Sequence, residues 1–434
     1  MPISASAAAL AGVIELVALC EPAFRRQSAA AEGDRSKSEA PRASGQAGTP
    51  ALEAKPSNAV LVVDVKPRRL NRQNSFAWQI CSWVGTGLLA SRLVAEPPPT
   101  GWMKENGMRT KRLHGDRVEV TELGLGGGPL GGLFQTVDDN AAAATLRAAW
   151  DGGIRYFDTA PHYGIGQSER RFGEFLRQHP RDVFSLSTKV GRLLVEQDPA
   201  GRIDEAFQVL ATHRRVWDFS RDGVRRSLEE SLVRLGLDRV DILYLHDAGE
   251  HFEAALHDGY PALAELREEG VVGAIGAGME NAGLLTELVR KADVDVLMLP
   301  GRYTLLDQSA LDELLPACQE RGVSVIAAAV FHSGVLAQLR PGPGAMFGYQ
   351  TASPEVLDKA NRIAEICAGH SVALPQAAMA FPLTHPAVAG VVLGMRSAEE
   401  VLQNVDFFTS GVPGQLWRDL CAEGLLDERV PVQA

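Results

Sequence analysis

Two residues in the stretch from Phe157 to Glu169 have the types and spacing to do chemistry together: Asp158, which closes an apolar run, and Tyr163, five residues on. Taken alone, the pair reads equally well as a capping turn. Lys189 and His246, each closing a later segment that reads as a strand, shift the balance. A free phenol gives up its proton only near pH 10, too high for efficient exchange at neutral pH. A nearby ammonium favours the phenolate and lowers that value, and a carboxylate keeps the ammonium charged and in place. Asp158, Lys189 and Tyr163 are therefore expected to act as one unit, in which Tyr163 is the acid of carbonyl reduction or the base of alcohol oxidation, paired with hydride transfer. His246 is expected to orient the substrate oxygen, with Asp247 beside it as a tuning group. Singly, each residue reads as structural, because lysine and histidine at strand ends often only cap or face water. Together at matching strand ends they read as functional, and a lysine there is tolerated when a carboxylate pairs with it.

What must position them is a sheet whose C-terminal strand ends converge. From Val118 onward strands alternate with amphipathic helices, the pattern of parallel βαβ units. Strands are read over Thr121–Leu125, Ile154–Asp158, Val183–Lys189, Val240–His246, Val272–Gly276, Val294–Leu299, Val323–Ala328 and Val388–Gly394. Helices are read over Asp139–Asp151, Ser168–His179, Ser220–Leu235, Pro261–Glu269, Asn281–Lys291, Ser309–Arg321, Pro354–His370 and Ser397–Phe408, with an extra one over Leu374–Phe381. Ser220 is the expected N-cap of the third. Eight strand–helix pairs predict an α/β fold, a (β/α)8 TIM barrel spanning 108–434, whose strand ends bring distant polar residues to one mouth.

Before the barrel, residues 1–107 show no sustained period, and Gln27 to Ser57 is an Ala/Ser/Glu/Arg/Pro mixture; the segment is expected to be a mostly disordered N-terminal extension. It holds 12 basic and 9 acidic residues against 31 and 45 beyond, so the composition changes near Gly107, and Met103 and Met108 stand there as candidate translation starts. Ile3 to Cys20 carries Glu15 and no preceding basic residue, a poor secretory signal, and Arg92 interrupts the apolar run Phe76 to Val94. The formal charge of −11 argues against a nucleic-acid surface. Five scattered cysteines without a Cys-x-x-Cys pair indicate neither a disulfide framework nor a zinc site, and a cytoplasmic setting with no membrane partner is expected.

Phe-Asp-Thr-Ala-Pro-His-Tyr-Gly (157–164), the strand-ending Lys189 and Tyr-Leu-His (244–246) resemble the aldo-keto reductase superfamily, from Arg109 to the C-terminus. The resemblance implies a catalytic tetrad of Asp158, Tyr163, Lys189 and His246. The segments 122–132, 301–308 and 329–336 are similar to the NAD-dependent aldose dehydrogenase branch, with its L-fucose, L-galactose and pyridoxal dehydrogenases. A nicotinamide dinucleotide, NAD or else NADP, is then expected across the barrel mouth without a Rossmann fold. Gly126-Gly-Gly-Pro-Leu-Gly131 matches Gly-x-Gly-x-x-Gly, but Pro129 lacks the N–H that the phosphate cradle needs, and the next helix opens on Asp138 and Asp139. Gly126 is read instead as part of a close-approach loop under nicotinamide or substrate, or a plain tight turn. By resemblance, Phe331, Ser333, Gly334 and Leu336 supply pyrophosphate contacts, and Gly394, Arg396, Ser397, Glu400 and Asn404 line the adenosine end. Relatives that use NADP carry Lys and Arg where Gly394 and Glu400 stand, and Glu400 would repel a 2′-phosphate, which favours NAD. Asp158 and Gly278 complete the cofactor set. Gly278, Met279 and Met298 replace the usual carboxamide-gripping residues, with Asn281 near; Ala328 replaces the usual stacking aromatic, for which Tyr303 or Phe331 could substitute.

The leading expectation is oxidation of C1 of an aldose to a lactone, with His162, Trp217, Phe219 and Arg302 as candidate substrate-pocket residues. A second reading is an NADPH-dependent reductase of aldehydes and ketones using the same tetrad in reverse. A third is a cofactor-binding regulatory subunit, against which the intact tetrad weighs. Metal-dependent hydrolysis is disfavoured because no His-x-His pair ends a strand. The expected partner is a small sugar or carbonyl compound, and the expected assembly a monomer or small homo-oligomer.

Overall fold

The structure, a computed structural model, describes residues 108–432. Eight strands form a closed barrel: β1 (Leu123–Gly126), β2 (Tyr156–Asp158), β3 (Ser185–Val190), β4 (Ile242–His246), β5 (Ala274–Gly278), β6 (Val296–Pro300), β7 (Ser324–Ala328) and β8 (Val388–Gly394). Neighbours pair in parallel throughout, and β8 returns to β1 to complete the ring. Each strand is followed by a helix: α1 (Asp139–Asp151), α2 (Gln167–Leu176), α3 (Arg221–Leu235), α4 (Tyr260–Glu268), α5 (Ala282–Lys291), α6 (Leu314–Arg321), α7 (Pro354–Gly369) and α8 (Ala398–Thr409). This is the eight-fold α/β barrel expected from the alternation. A further helix, Leu374–Ala380, precedes β8, and Gly414–Ala422 follows α8.

Two-residue alternation divides the strand side chains between two cores. Tyr156, Ile242, Tyr244, Val296, Met298, Ile326 and Val392 point into the barrel. Phe157, Leu186, Leu243, Leu245, Leu297 and Val391 point out beneath the helices. An antiparallel hairpin, Thr110–Arg112 with Glu119–Thr121, closes the N-terminal end of the barrel. It places Leu113, Val118 and Val120 in the inner core, accepts a bond from Ser185 Oγ on Glu119 O at 2.6 Å, and donates from Lys111 Nζ to Val388 O at 3.3 Å. The opposite, C-terminal end is left as the open mouth. The same inward parity that buries Tyr156 and Tyr244 delivers Asp158 and His246 two residues later, at the C-terminal ends of β2 and β4.

Helix starts follow local chemistry. Ser220 Oγ accepts from Gly223 N at 3.1 Å at the start of α3, as expected, and Asp138 Oδ1 caps α1 through Ala141 N at 2.8 Å. Several strands begin later than their valines suggest. Val240, Val272, Val294 and Val323 are buried at strand entrances without joining the ladder, so apolar content there reports core contact and not strand pairing. The helix expected over Ser309–Arg321 is broken into a single turn, Ser309–Leu311, and α6. The expectations for residues 1–107, including the candidate start at Met103, lie outside the described residues, whereas Met108, the other candidate start, lies within them. Among the described residues, no helix is long and apolar enough to cross a membrane.

Candidate active site

Asp158 and Lys189 meet at the barrel mouth. Lys189 Nζ donates to both carboxylate oxygens, at 2.8 and 2.7 Å, and to Thr159 O at 3.0 Å, and Ser187 Oγ donates to Asp158 Oδ1 at 2.7 Å. Both side chains of the ion pair are about 2–3% exposed, where an unpaired charge is costly and a fully bonded pair is tolerated. Below them, Ser187 Oγ also meets Tyr156 Oη at 3.2 Å, and Tyr156 Oη meets Tyr244 Oη at 3.3 Å, so the carboxylate rests on a buried polar chain. Tyr163 reaches the pair from the loop after β2, with Lys189 Nζ 4.7 Å from its ring centroid. The His246 ring stands 5.8 Å from the Tyr163 ring at a near right angle.

Burial governs the protonation states. It raises the Tyr163 phenol to about 12, while the charge and hydrogen bond of Lys189 pull it back and Asp158 pushes it up. The lowering effect of the ammonium foreseen from the sequence is present, but desolvation outweighs it. Burial also draws Lys189 down, but Asp158 and Tyr163 outweigh it and hold the ammonium above its ordinary value. Burial, with the charges of Arg192 and Lys189, holds His246 well below its ordinary range, so it is a neutral imidazole able to donate or accept.

These groups open into a cavity of about 840 Å³ in the barrel mouth, within the range of roughly 300–1,000 Å³ common for cofactor and ligand sites. Of the residues expected around it, Gly126, Asp158, His162, Tyr163, Lys189, His246, Gly278, Arg302, Phe331, Ser333, Gly334, Gly394, Arg396, Glu400 and Asn404 line it. Four do not. Leu336 is wholly buried in the outer core, and Ser397 spends its hydroxyl capping α8 through Glu400 N at 3.2 Å. Phe219 packs on Gly191, and Trp217 lies under the Arg192 guanidinium at 4.4 Å. Of the proposed substitutes for missing cofactor contacts, Phe331 lines the cavity, whereas Tyr303 is buried and bonded to Thr384, and Asn281 caps α5.

The glycine loop after β1 makes a close approach, but to protein. A Cβ on Gly164 would lie 2.3 Å from Gly131 O, and one on Gly131 would lie 2.6 Å from the Tyr163 carbonyl carbon. Pro129–Gly131 form a single turn and not the start of a long helix, which agrees with the rejection of a dinucleotide-fold cradle. The residues present suit an extended dinucleotide. Glycines 126, 127, 128, 278, 301, 334 and 394 leave the wall of the cavity low, and His162 Nδ1 is buried without a hydrogen-bond partner among the described residues.

Sequence reasoning missed a hairpin after β3, Arg192–Glu196 with His213–Trp217. It brings Arg215 to His162 O at 3.2 Å and to Asp204 at 2.6 Å, and the loop it carries sets Phe207 5.1 Å from the His162 ring. Its strands, Arg-Leu-Leu-Val-Glu and His-Arg-Arg-Val-Trp, show no two-residue apolar alternation to read.

Residues 122–413 match the family model described as the aldo/keto reductase family. The chain belongs to the aldo/keto reductase family. As a member it is an oxidoreductase that uses a nicotinamide cofactor. Among curated relatives, D-threo-aldose 1-dehydrogenase of a Pseudomonas species is 47% identical over 314 residues, covering 71% of this chain and 95% of that protein. Pyridoxal 4-dehydrogenase of Microbacterium luteolum is 40% identical over 328 residues, with the same coverage of 71% and 95%. L-Galactose dehydrogenase of Arabidopsis thaliana is 31% identical over 294 residues, covering 66% and 84%. An aldo-keto reductase structure from Bacillus halodurans shares the fold of this aldo/keto reductase, with a TM-score of 0.59 at 24% identity over 75% of this chain and 99% of that one.

Proposed function

We propose that this aldo/keto reductase oxidises C1 of an aldose to a lactone, with NAD as hydride acceptor and Tyr163 as general base. The observation that carries the reading is the Asp158–Lys189 pair, bonded at 2.7 and 2.8 Å, with its ammonium against the Tyr163 ring inside the cavity. Lys189, held charged by Asp158, favours the phenolate; Tyr163 takes the proton of the sugar hydroxyl, and the neutral His246 holds the same oxygen. Bound nicotinamide supplies the hydride acceptor. Gly126, Gly278, Phe331, Ser333, Gly334 and Gly394 are assigned to hold the dinucleotide, and His162 and Arg302 to face the substrate. The identity to an enzyme named D-threo-aldose 1-dehydrogenase supports the substrate class.

The preference for NAD is supported by Arg396. Glu400 accepts from its Nε at 3.0 Å, from its Nη2 at 2.6 Å and from its backbone N at 2.8 Å, so the guanidinium facing the adenosine end is already neutralised. A 2′-phosphate would have to displace a carboxylate from it. The test is absorbance at the NADH band with NAD against NADP, over L-fucose, L-galactose, D-arabinose and pyridoxal. Turnover of an aldose with NAD is expected, and Tyr163→Phe should lower kcat by at least about 10²-fold while dinucleotide affinity is retained. Carbonyl reduction with NADPH and no aldose oxidation would overturn the assignment.

A further inference from the structure

We propose that Asp247 binds substrate directly, accepting a hydrogen bond from a hydroxyl beside the reacting carbon, so that the cavity selects neutral polyhydroxy compounds over simple alcohols. The inference rests on the function proposed above and adds a specificity-determining residue to it. Asp247 follows His246 at the end of β4, where continued alternation would turn its side chain outward beneath the helices. The backbone prevents this. Its φ is 43°, in the left-handed region that aspartate tolerates better than most residues, and its N–H donates to Gly278 O at 2.9 Å on the neighbouring strand end. The carboxylate consequently lines the cavity, with its side chain 44% exposed and Oδ2 3.6 Å from His246 Nε2.

One oxygen of that carboxylate is held in place from behind. Arg192 Nη2 donates to Oδ2 at 2.7 Å, its side chain is only 13% exposed, and its guanidinium lies 4.4 Å over the Trp217 ring. Trp217 stacks on Phe219 at 5.8 Å, and Phe219 fills the space beside Gly191, where a Cβ would come within 2.2 Å of it. Trp217 and Phe219 thus reach the substrate side indirectly, as the support for Arg192. Oδ1 accepts no hydrogen bond among the described residues.

An ionised carboxylate only accepts, so its complement in a substrate is an O–H and not a carbonyl or an anion. With its positive partner already fixed, it has no need of a cation. Its proximity to the imidazole expected to hold the reacting oxygen places the second oxygen on a neighbouring carbon, as in a sugar.

The test compares an aldose with its singly deoxygenated analogues, using the full chain and NAD. Asp247→Ala should lower kcat/KM for the parent sugar by roughly 10- to 100-fold, chiefly through KM. For the one analogue that lacks the recognised hydroxyl, the loss should be at least about ten-fold smaller. Asp247→Asn, which keeps the shape and one acceptor, should show the same selectivity at smaller size and serves if the alanine variant does not fold. Equal losses across the parent and all analogues, or a loss in kcat with KM unmoved, would overturn the assignment. If the unsubstituted protein oxidises no aldose, the proposed function fails separately; a 2-hydroxy aldehyde and its deoxy partner are then compared in reduction, where a selective loss supports Asp247 and an equal one overturns it.

Discussion

At the barrel mouth the Tyr163 phenol is buried, and Lys189 is the group that draws its raised pKa back toward the working range. Lys189→Met should therefore move the ascending limb of the pH–rate profile for oxidation, where Tyr163 loses its proton, to higher pH by about one to three units, the size of an opposite-charge effect at short range. It also leaves Asp158 as a buried unpaired carboxylate, at a cost of about 3–5 kcal/mol in a denaturant titration. A limb that stays in place would remove Lys189 from the proton-transfer role. Arg396 poses a second question at this scale. Replacing Glu400 with Arg frees it and adds a cation, so the kcat/KM ratio of NADP to NAD should rise by roughly ten-fold or more; an unchanged ratio would count against the adenosine-end assignment. Asp158, Lys189 and His246 were legible in the sequence because each ends a segment that reads as a strand, and parity then turns all three inward. Leu336 and Ser397 were placed in the site by resemblance and Trp217 and Phe219 as loop aromatics, and the features that keep them from the cavity wall are not local: a guanidinium stacked on Trp217, a helix cap needing the Ser397 hydroxyl, and a core that takes Leu336 whole.

Elements carry the next constraint, because Tyr163 sits on a loop and owes its position to the loop beside it. Gly164 has φ 61°, and its missing Cβ leaves room for Gly131 O. Gly164→Ala cannot be accommodated by a side-chain rotation, since the obstructing atoms are backbone; the two loops must separate. A shift of about 1 Å in a reacting group can cost on the order of 10²-fold in rate, so kcat should fall strongly while the thermal midpoint moves only a few degrees. A fall in stability without loss of kcat would show that the contact is only structural. The strands and helices that hold these loops were readable because burial on both faces leaves runs of β-branched residues and 3.6-residue apolar stripes. The hairpin Arg192–Glu196 with His213–Trp217 was not, because it lies on the surface and is fixed by cross-strand pairs far apart in sequence, such as Arg192 opposite Trp217. Strand entrances were over-read for the opposite reason: a valine buried by a helix looks the same as a valine in a ladder.

The whole molecule buries several histidines as neutral rings, and its stability should report this. Burial lowers His162 to about 3 and His332 to about 4, and holds His246 well below its ordinary range; His179, His213 and His385 are displaced in the same direction, again chiefly by burial. In the unfolded chain each ring returns to about 6.5. Below that value the unfolded state takes up protons that the folded state refuses, so the stabilising contribution is complete above about pH 6.5 and is lost as pH falls toward the folded values, by up to about 1.4 kcal/mol per pH unit for a buried ring such as His162 or His246 and by less for the solvent-screened His179 and His213. Carboxylates held low, such as Asp204 beside Arg215 and Asp307 beside Ser309 and Arg302, act in a separate window below their ordinary value of 3.8. Urea midpoints measured from pH 7.5 to 5 stay clear of those lowered carboxylates, and a single-histidine variant isolates one ring's share. Stability should decline across that interval, and His162→Asn should make the decline shallower by about one ring's share without altering it near pH 7.5. A slope identical in the two proteins would mean that His162 protonates freely in the folded state, and with it would go the dry, cation-flanked wall on which the site's electrostatics depend.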